Sequence, residues 1–266
     1  MTGLGTENDP FLVDNWEDFS TIDTDSADVY VRWADGGNKI IDFNDTMPEG
    51  FSETVAIPAH VDFNGWTLKN FHSTASSAFM GVSSSNHSNV NNLILEKFYY
   101  IGQYLLRCIN FQNCIFSGIC NGASPVIFGY YSNFSCCSAN LQMHSDSELT
   151  VFLYSTCRNS DTILDISGNR CNIFFGSQNK AYNSRFSGKI RINSSSNILV
   201  NIGYSSIFNL DSNQPLACSG VTGISVFNAD TAQKTSNSPN NFVGVTSEQL
   251  KNAEYLYSIG FPIGVD

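Results

Sequence analysis

Short apolar runs alternate with long polar gaps along this chain. The runs include "VDFNGWTLKNF" (61–71), "SNVNNLILEKF" (88–98), "LRCINFQNCIF" (106–116), "SNFSCCSANLQM" (132–143), "ELTVFLY" (148–154), "CNIFFG" (171–176) and "GKIRINSSSNILVNIG" (188–203). Ser, Asn and Gly separate them rather than amphipathic helical stretches, so the pattern predicts strands joined by tight turns. The runs recur at roughly twenty to thirty residues, and none can bury its apolar face alone. The predicted fold is therefore all-β, a single-stranded parallel β-helix in which coils stack strand upon strand. The alternative is a β-sandwich with Asn-rich loops. It would favour Asn-Gly hairpins, and only Asn64-Gly65 and Asn121-Gly122 supply that dipeptide.

Within "LLRCINFQNCIFSGIC" (105–120) the alternation of inward and outward positions breaks at Asn113, which marks a bend between two short strands. Asn64, Asn70, Asn91, Asn92, Asn110 and Asn113 fall where the coil must turn, and Asn tolerates the left-handed backbone such corners need. Cys108, Cys114 and Cys120 are six apart, wider than the C-x(2–4)-C spacing of structural zinc sites, and the adjacent Cys136 and Cys137 cannot face the same side of a strand. The expected role is packing, with the cysteines inward-facing in successive turns, and no metal or cofactor is expected.

Both chain ends carry helix signals. "DNWEDF" offers Asn15 as N-cap, Asp18 in the position that reaches back, and Trp16 and Phe19 on one face. "TSEQLKNAEYLYSIGFP" reads as a capping box, Thr246 with Gln249, followed by one helix that turns Leu250, Ala253 and Leu256 or Tyr257 inward and is stopped by Gly260 and Pro262. These signals divide the chain into an N-terminal segment with its capping helix (1–40), the parallel β-helix (41–220), and an extended arm with a C-terminal helix (221–266). In the last, Leu250, Ala253, Leu256, Tyr257 and Phe261 are the candidate assembly residues.

Composition narrows the partners. The formal charge is −11, from 13 Lys plus Arg against 24 Asp plus Glu, without a basic cluster, which argues against nucleic acid. The start lacks a signal-peptide pattern and no apolar run is long enough to span a membrane, so membrane insertion is not expected. Synthesis in a reducing cytoplasm then favours free thiols for the eight cysteines.

Candidate chemistry is sparse. Glycoside hydrolysis needs two carboxylates about 5–10 Å apart. Asp161 and Asp165 share one face of a strand, as do Asp146 and Glu148, and these four would be the first catalytic acids to test. The competing reading has them capping turns or pairing with arginines such as Arg158 or Arg170. Asp23, Asp25 and Asp28 echo a calcium loop but lack its Gly at the sixth position and closing Glu at the twelfth. Tyr99, Tyr100, Tyr104, Tyr130 and Tyr131, from "FYYIGQY" and "FGYYSNF", are candidates for stacking on sugar rings or lining a subunit interface.

The opening "GTENDPFLVDNWEDF" (5–19), with "IDFN" (41–44) and "VDFNGWTLKN" (61–70), resembles the N-terminal portion of right-handed parallel β-helix proteins of the pectin-lyase-like group found on bacteriophage tails, baseplates and virion surfaces. The ending "LKNAEYLYSIGFPIGVD" (250–266) resembles tails of phage and mobile-element proteins. The likeness covers the ends and the first two coils. It implies a right-handed coil, with Pro10, Trp16, Phe19 and Gly65 capping and turning the chain. It also implies a virion protein assembled in the host cytoplasm, homotrimeric and attached to other virion proteins, and it does not imply catalysis; the expected function is a non-enzymatic structural role contributing to host attachment. The alternatives are a tailspike-type polysaccharide depolymerase and a carbohydrate-binding adhesin that meets a host surface glycan.

Overall fold

The computed structural model describes residues 1–46, 55–74, 80–81, 87–123, 125–176, 179–201 and 204–261. They form a parallel β-solenoid of about eight turns with two short α-helices. Strand pairings between coils are parallel throughout the described residues, which removes the antiparallel sandwich.

Three strand faces enclose the core. The first comprises Phe11–Val13, Tyr30–Trp33, His60–Asp62, Ser88–Asn91, Ile109–Gln112, Asn133–Ser135, Thr156–Arg158 and Lys180–Tyr182. The second runs from Ile40–Thr46 through Thr67–Ser73, Ile94–Ile101 and Ile115–Gly122 to Arg185–Ile192, Ile207–Ser212, Ser225–Asn228 and Phe242–Val245. The third includes Met80–Gly81, Tyr104–Arg107 and Val126–Tyr130, then Ile198–Asn201 and Leu216–Ser219. The long strands Ser138–Leu153 and Asp161–Phe175 bend from the second face into the third.

Registration places like residues above one another. On the first face Val61, Val90, Phe111, Phe134, Cys157 and Ala181 form one inward column, and all are buried. On the second, Leu68, Leu95, Phe116, Ala139, Thr162, Phe186, Phe208 and Phe227 form another. Each coil thus presents its apolar side chains to identical positions in its neighbours, which is how short strands gain a continuous core.

The corner between the first and second faces explains the asparagines. Asn64, Asn92, Asn113, Asn159 and Asn183 hold φ of 51°, 56°, 54°, 47° and 44°, the left-handed region that Asn enters most readily. Cys136 takes the same corner in its own coil at φ 53° and is exposed. Asn70 is also left-handed, at 55°, whereas Asn91 and Asn110 lie within strands and not at corners. One residue past this corner the chain turns inward with Cys114, Cys137, Ser160, Ser184 and Ser206, all buried. Their side chains bridge coils: the Cys114 and Cys137 thiols donate to Val90 O and Phe111 O, each at 3.6 Å, and the Ser160 hydroxyl donates to Phe134 O at 3.3 Å. Cys108, Cys114 and Cys120 therefore pack inside as expected, but within a single coil. The cysteines that do repeat from coil to coil are Cys114 and Cys137.

At the N-terminus helix α1 (Trp16–Ser20) is capped by Asn15, whose side chain accepts from Asp18 N at 2.7 Å. Its Trp16 and Phe19 are buried against Trp33 and Phe63. Phe11–Val13 and Tyr30–Trp33 already belong to the first face, so stacking begins before residue 41. It also runs past residue 220, because Ser225–Asn228 and Phe242–Val245 pair in parallel where the sequence suggests an extended arm. Phe242, in that segment, is buried beside Phe208 and Phe227.

The C-terminal capping box forms: Thr246 N donates to Gln249 Oε1 at 2.9 Å and Gln249 N to Thr246 Oγ1 at 3.2 Å. The expected single helix is instead a 3-10 turn, Gln249–Lys251, followed by α2 (Ala253–Ser258). Asn252 divides them, extended at φ −100° and ψ 102°, with its side chain capping Tyr255 N. Leu256 and Phe261 pack on Val226 and Val245 in a small cluster separate from the main core, so α2 lies against the outer side of the last strands. Pro262 lies outside the described residues.

Candidate functional site

The acids occupy the outer side of the second face and its bend. Asp161 and Asp165 are both exposed, alternating with buried Thr162 and Leu164. A strand rises about 3.3 Å per residue, which sets two positions four apart on one extended strand about 13 Å from each other. That backbone spacing is wider than the roughly 5–10 Å between paired catalytic carboxyl groups, so the two side chains would have to lean toward each other to share one bond. Their in-register neighbours are basic, Arg185 beside Asp161 and Lys189 beside Asp165.

Asp146 and Glu148 sit at an irregularity in the strand and are each engaged. Asp146 meets His144 Nε2 at 3.3 Å, while His144 Nδ1 lies 2.9 Å from Ser167 Oγ. Glu148 accepts from the Asn172 side chain, and Arg170 stands 4.0 Å away. Asp23 and Ser26 cap local turns by accepting from Asp25 N and Asp28 N. Among the described residues no group of three or more His, Cys, Asp or Glu is placed to hold a metal ion.

The tyrosines divide by strand phase. Tyr100 is fully buried, not a surface residue, because it follows Tyr99 directly in an extended strand and faces the other way. Tyr99 lies half-buried, its hydroxyl accepting from Asn121 Nδ2 at 3.2 Å. Tyr104 and Tyr130 pack at 4.7 Å on the outside of the third face, and Tyr131 stacks on Tyr154 at 4.8 Å and 19°. Of the assembly candidates, Leu256 and Phe261 are buried within the chain and Leu250 packs beside them. Ala253 is exposed rather than inward, and Tyr257 is 75% exposed, because α2 turns only its Leu256 side to the strands.

The most organised polar surface lies elsewhere, on the outer side of the first face. It is a shallow trough of about 640 Å³ that includes Asn89, Asn91, Asn110, Gln112, Asn133 and Arg158. Two rows of side chains run along it. In one, Asn133 donates to Asn110 at 2.7 Å, Asn110 to Asn89 at 3.0 Å, and Asn89 approaches His60 Nδ1 at 3.2 Å. The other places Asn91, Gln112, Ser135 and Arg158 in register across four coils, with Tyr182 next. The Arg158 guanidinium lies over the Tyr182 ring at 4.4 Å, and that ring stacks on Tyr204 at 4.5 Å and 12°. From sequence, Asn91 and Asn110 are expected at corners and Arg158 beside an acid, because the signal of this trough, a polar residue recurring at the same strand position, is visible only once the coil register is known.

A second trough, of about 860 Å³, follows the left-handed corner past Asn113, Cys136 and Asn159 to Arg185, with Phe261 at its edge. Comparison of the chain with family models, curated proteins and solved structures found no match, so its relationships rest on the fold and the residues themselves.

Proposed function

We propose that this chain is a non-enzymatic, surface-displayed structural component of a bacteriophage particle, located on its tail, baseplate or head and contributing to host attachment. The observation that carries the non-enzymatic part is the placement of the acids. Asp161 and Asp165 are spaced about 13 Å apart along the backbone of one strand beside Arg185 and Lys189, a poor setting for a carboxyl pair on one glycosidic bond, and Asp146 and Glu148 are engaged by His144 and by Asn172 with Arg170. A stacked solenoid of fixed register supplies an extended, rigid surface, which suits display. The particle itself, and homotrimeric assembly with other virion proteins, come from the resemblance of residues 5–19, 41–44, 61–70 and 250–266 to phage β-helix proteins.

The reading is tested by light scattering on the purified chain together with a reducing-sugar assay on host surface glycans. A trimer that releases no sugar ends supports it. A monomer that cleaves glycan overturns it in favour of a depolymerase.

A further inference from the structure

The two rows of the first-face trough differ in what their side chains already do. The row of His60, Asn89, Asn110 and Asn133 is hydrogen-bonded along its length and forms a floor. In the parallel row, the side chains of Asn91, Gln112, Ser135 and Arg158 make no hydrogen bond to one another or to other described residues. That row therefore offers amide, hydroxyl and guanidinium groups at successive coils, one every ~4.8 Å, a step comparable with the length of one pyranose ring. Amides and hydroxyls that both donate and accept match vicinal sugar hydroxyls.

Charge selects among sugars. The chain carries a net charge of −11, yet among the described residues lining the trough there is no carboxylate and the one charged group is Arg158. Lys180 stands one coil further on, in register with Thr156. The Arg158 guanidinium carbon lies 4.4 Å from the centre of the Tyr182 ring, and its side chain makes no hydrogen bond to another described residue, so its N–H groups are open to a planar carboxylate. At the opposite end Asp62, in register with Asn91, accepts from Asn64 N and Asn92 Nδ2, and Arg32 is in register beyond it. Arg158 is therefore the cation adjoining the uncharged stretch of the row, because Arg32 stands behind Asp62 and already meets Asp35 at 3.4 Å.

We propose that this trough binds an acidic glycan along the solenoid axis, with a sugar carboxylate on Arg158 and ring hydroxyls on Ser135, Gln112 and Asn91. The proposal rests on the reading of the chain as a displayed attachment protein and names the ligand class of that role.

The test is titration calorimetry of the full chain with oligosaccharides of hyaluronate and of polysialate, using dextran as the neutral control. Binding to an acidic oligosaccharide, weakened about tenfold or more by Arg158→Gln and by added salt, is expected. Asp165→Asn, on a different face, should bind as the native chain does. Arg158→Gln is an exposed change, and an unaltered thermal unfolding midpoint will show that it folds. Equal affinity in Arg158→Gln, equal affinity for dextran, or no binding to either acidic glycan overturns the proposal. A chain that is found on particles but binds no acidic glycan removes this inference and leaves the display reading intact. A chain that binds but is absent from particles does the reverse.

Discussion

Phe111 and Phe134 stack ring on ring across adjacent coils, centroids 5.3 Å apart and planes 17° from parallel. Phe134 also meets Phe128 at 5.6 Å and Phe152 at 5.3 Å, so one ring ties the first face to the third. Phe134→Ala should lower stability by about 3–5 kcal/mol, the usual range for a buried Phe truncated in a packed core. A Cβ at Gly129 would fall 2.8 Å from the Phe134 ring, so Gly129→Ala should destabilise as well. Denaturant unfolding measures both, and an unchanged midpoint for Phe134→Ala would mean that this stack is absent in solution.

The left-handed corner makes a prediction of opposite sign at two neighbouring coils. Asn159→Val places a β-branched residue at φ 47° and should cost about 1–2 kcal/mol. Cys136→Asn substitutes the residue that other coils use at this corner and should leave stability equal or higher. Thermal melts of the two variants decide it. A destabilised Cys136→Asn would show that the corner geometry is not shared between coils.

Thiol reactivity follows from the same geometry. Seven of the free cysteines are buried and Cys136 alone is exposed. Burial pushes the Cys120, Cys157 and Cys171 thiols far above their ordinary range, and Cys114 likewise, with Cys137 as its hydrogen-bonding neighbour. A chromogenic disulfide reagent should modify one thiol in the native chain and eight after unfolding. Rapid native modification of more than one would contradict the inward placement of the others.

Asp42 should make stability depend on acid. The Asn44 backbone N–H, the Asn70 amide and Lys69 hold its carboxyl down to about 2, from an ordinary 3.8. A folded value below the unfolded one favours the ionised group in the native state. Its contribution is complete above about pH 4 and disappears as pH falls toward 2. Asp42→Asn should therefore flatten the stability profile between those limits, and an identical slope in the native chain would discount these contacts.

Much of the fold is legible in the sequence where local chemistry and coil geometry agree. The break in alternation at Asn113 is a real corner, Asn15 is a real N-cap, and Thr246 with Gln249 is a real capping box. Strand phase is less legible, because irregularities reset it. Lys97, left-handed at φ 52°, sits beside the register shift between Ser117 and Gly118, after which Tyr99 faces outward and Tyr100 inward. Coil membership is harder still, since coils differ in length, and six-residue spacing placed Cys108, Cys114 and Cys120 in one coil. The amide trough needed the register itself, because Asn91, Gln112, Ser135 and Arg158 are neighbours only in three dimensions.

Display on a particle is tested most directly by immunogold electron microscopy of purified phage particles, using an antibody to the folded chain. The account predicts label at a fixed position on intact particles, lost from particles assembled without the gene. Unlabelled particles from lysates that contain abundant folded chain would contradict it.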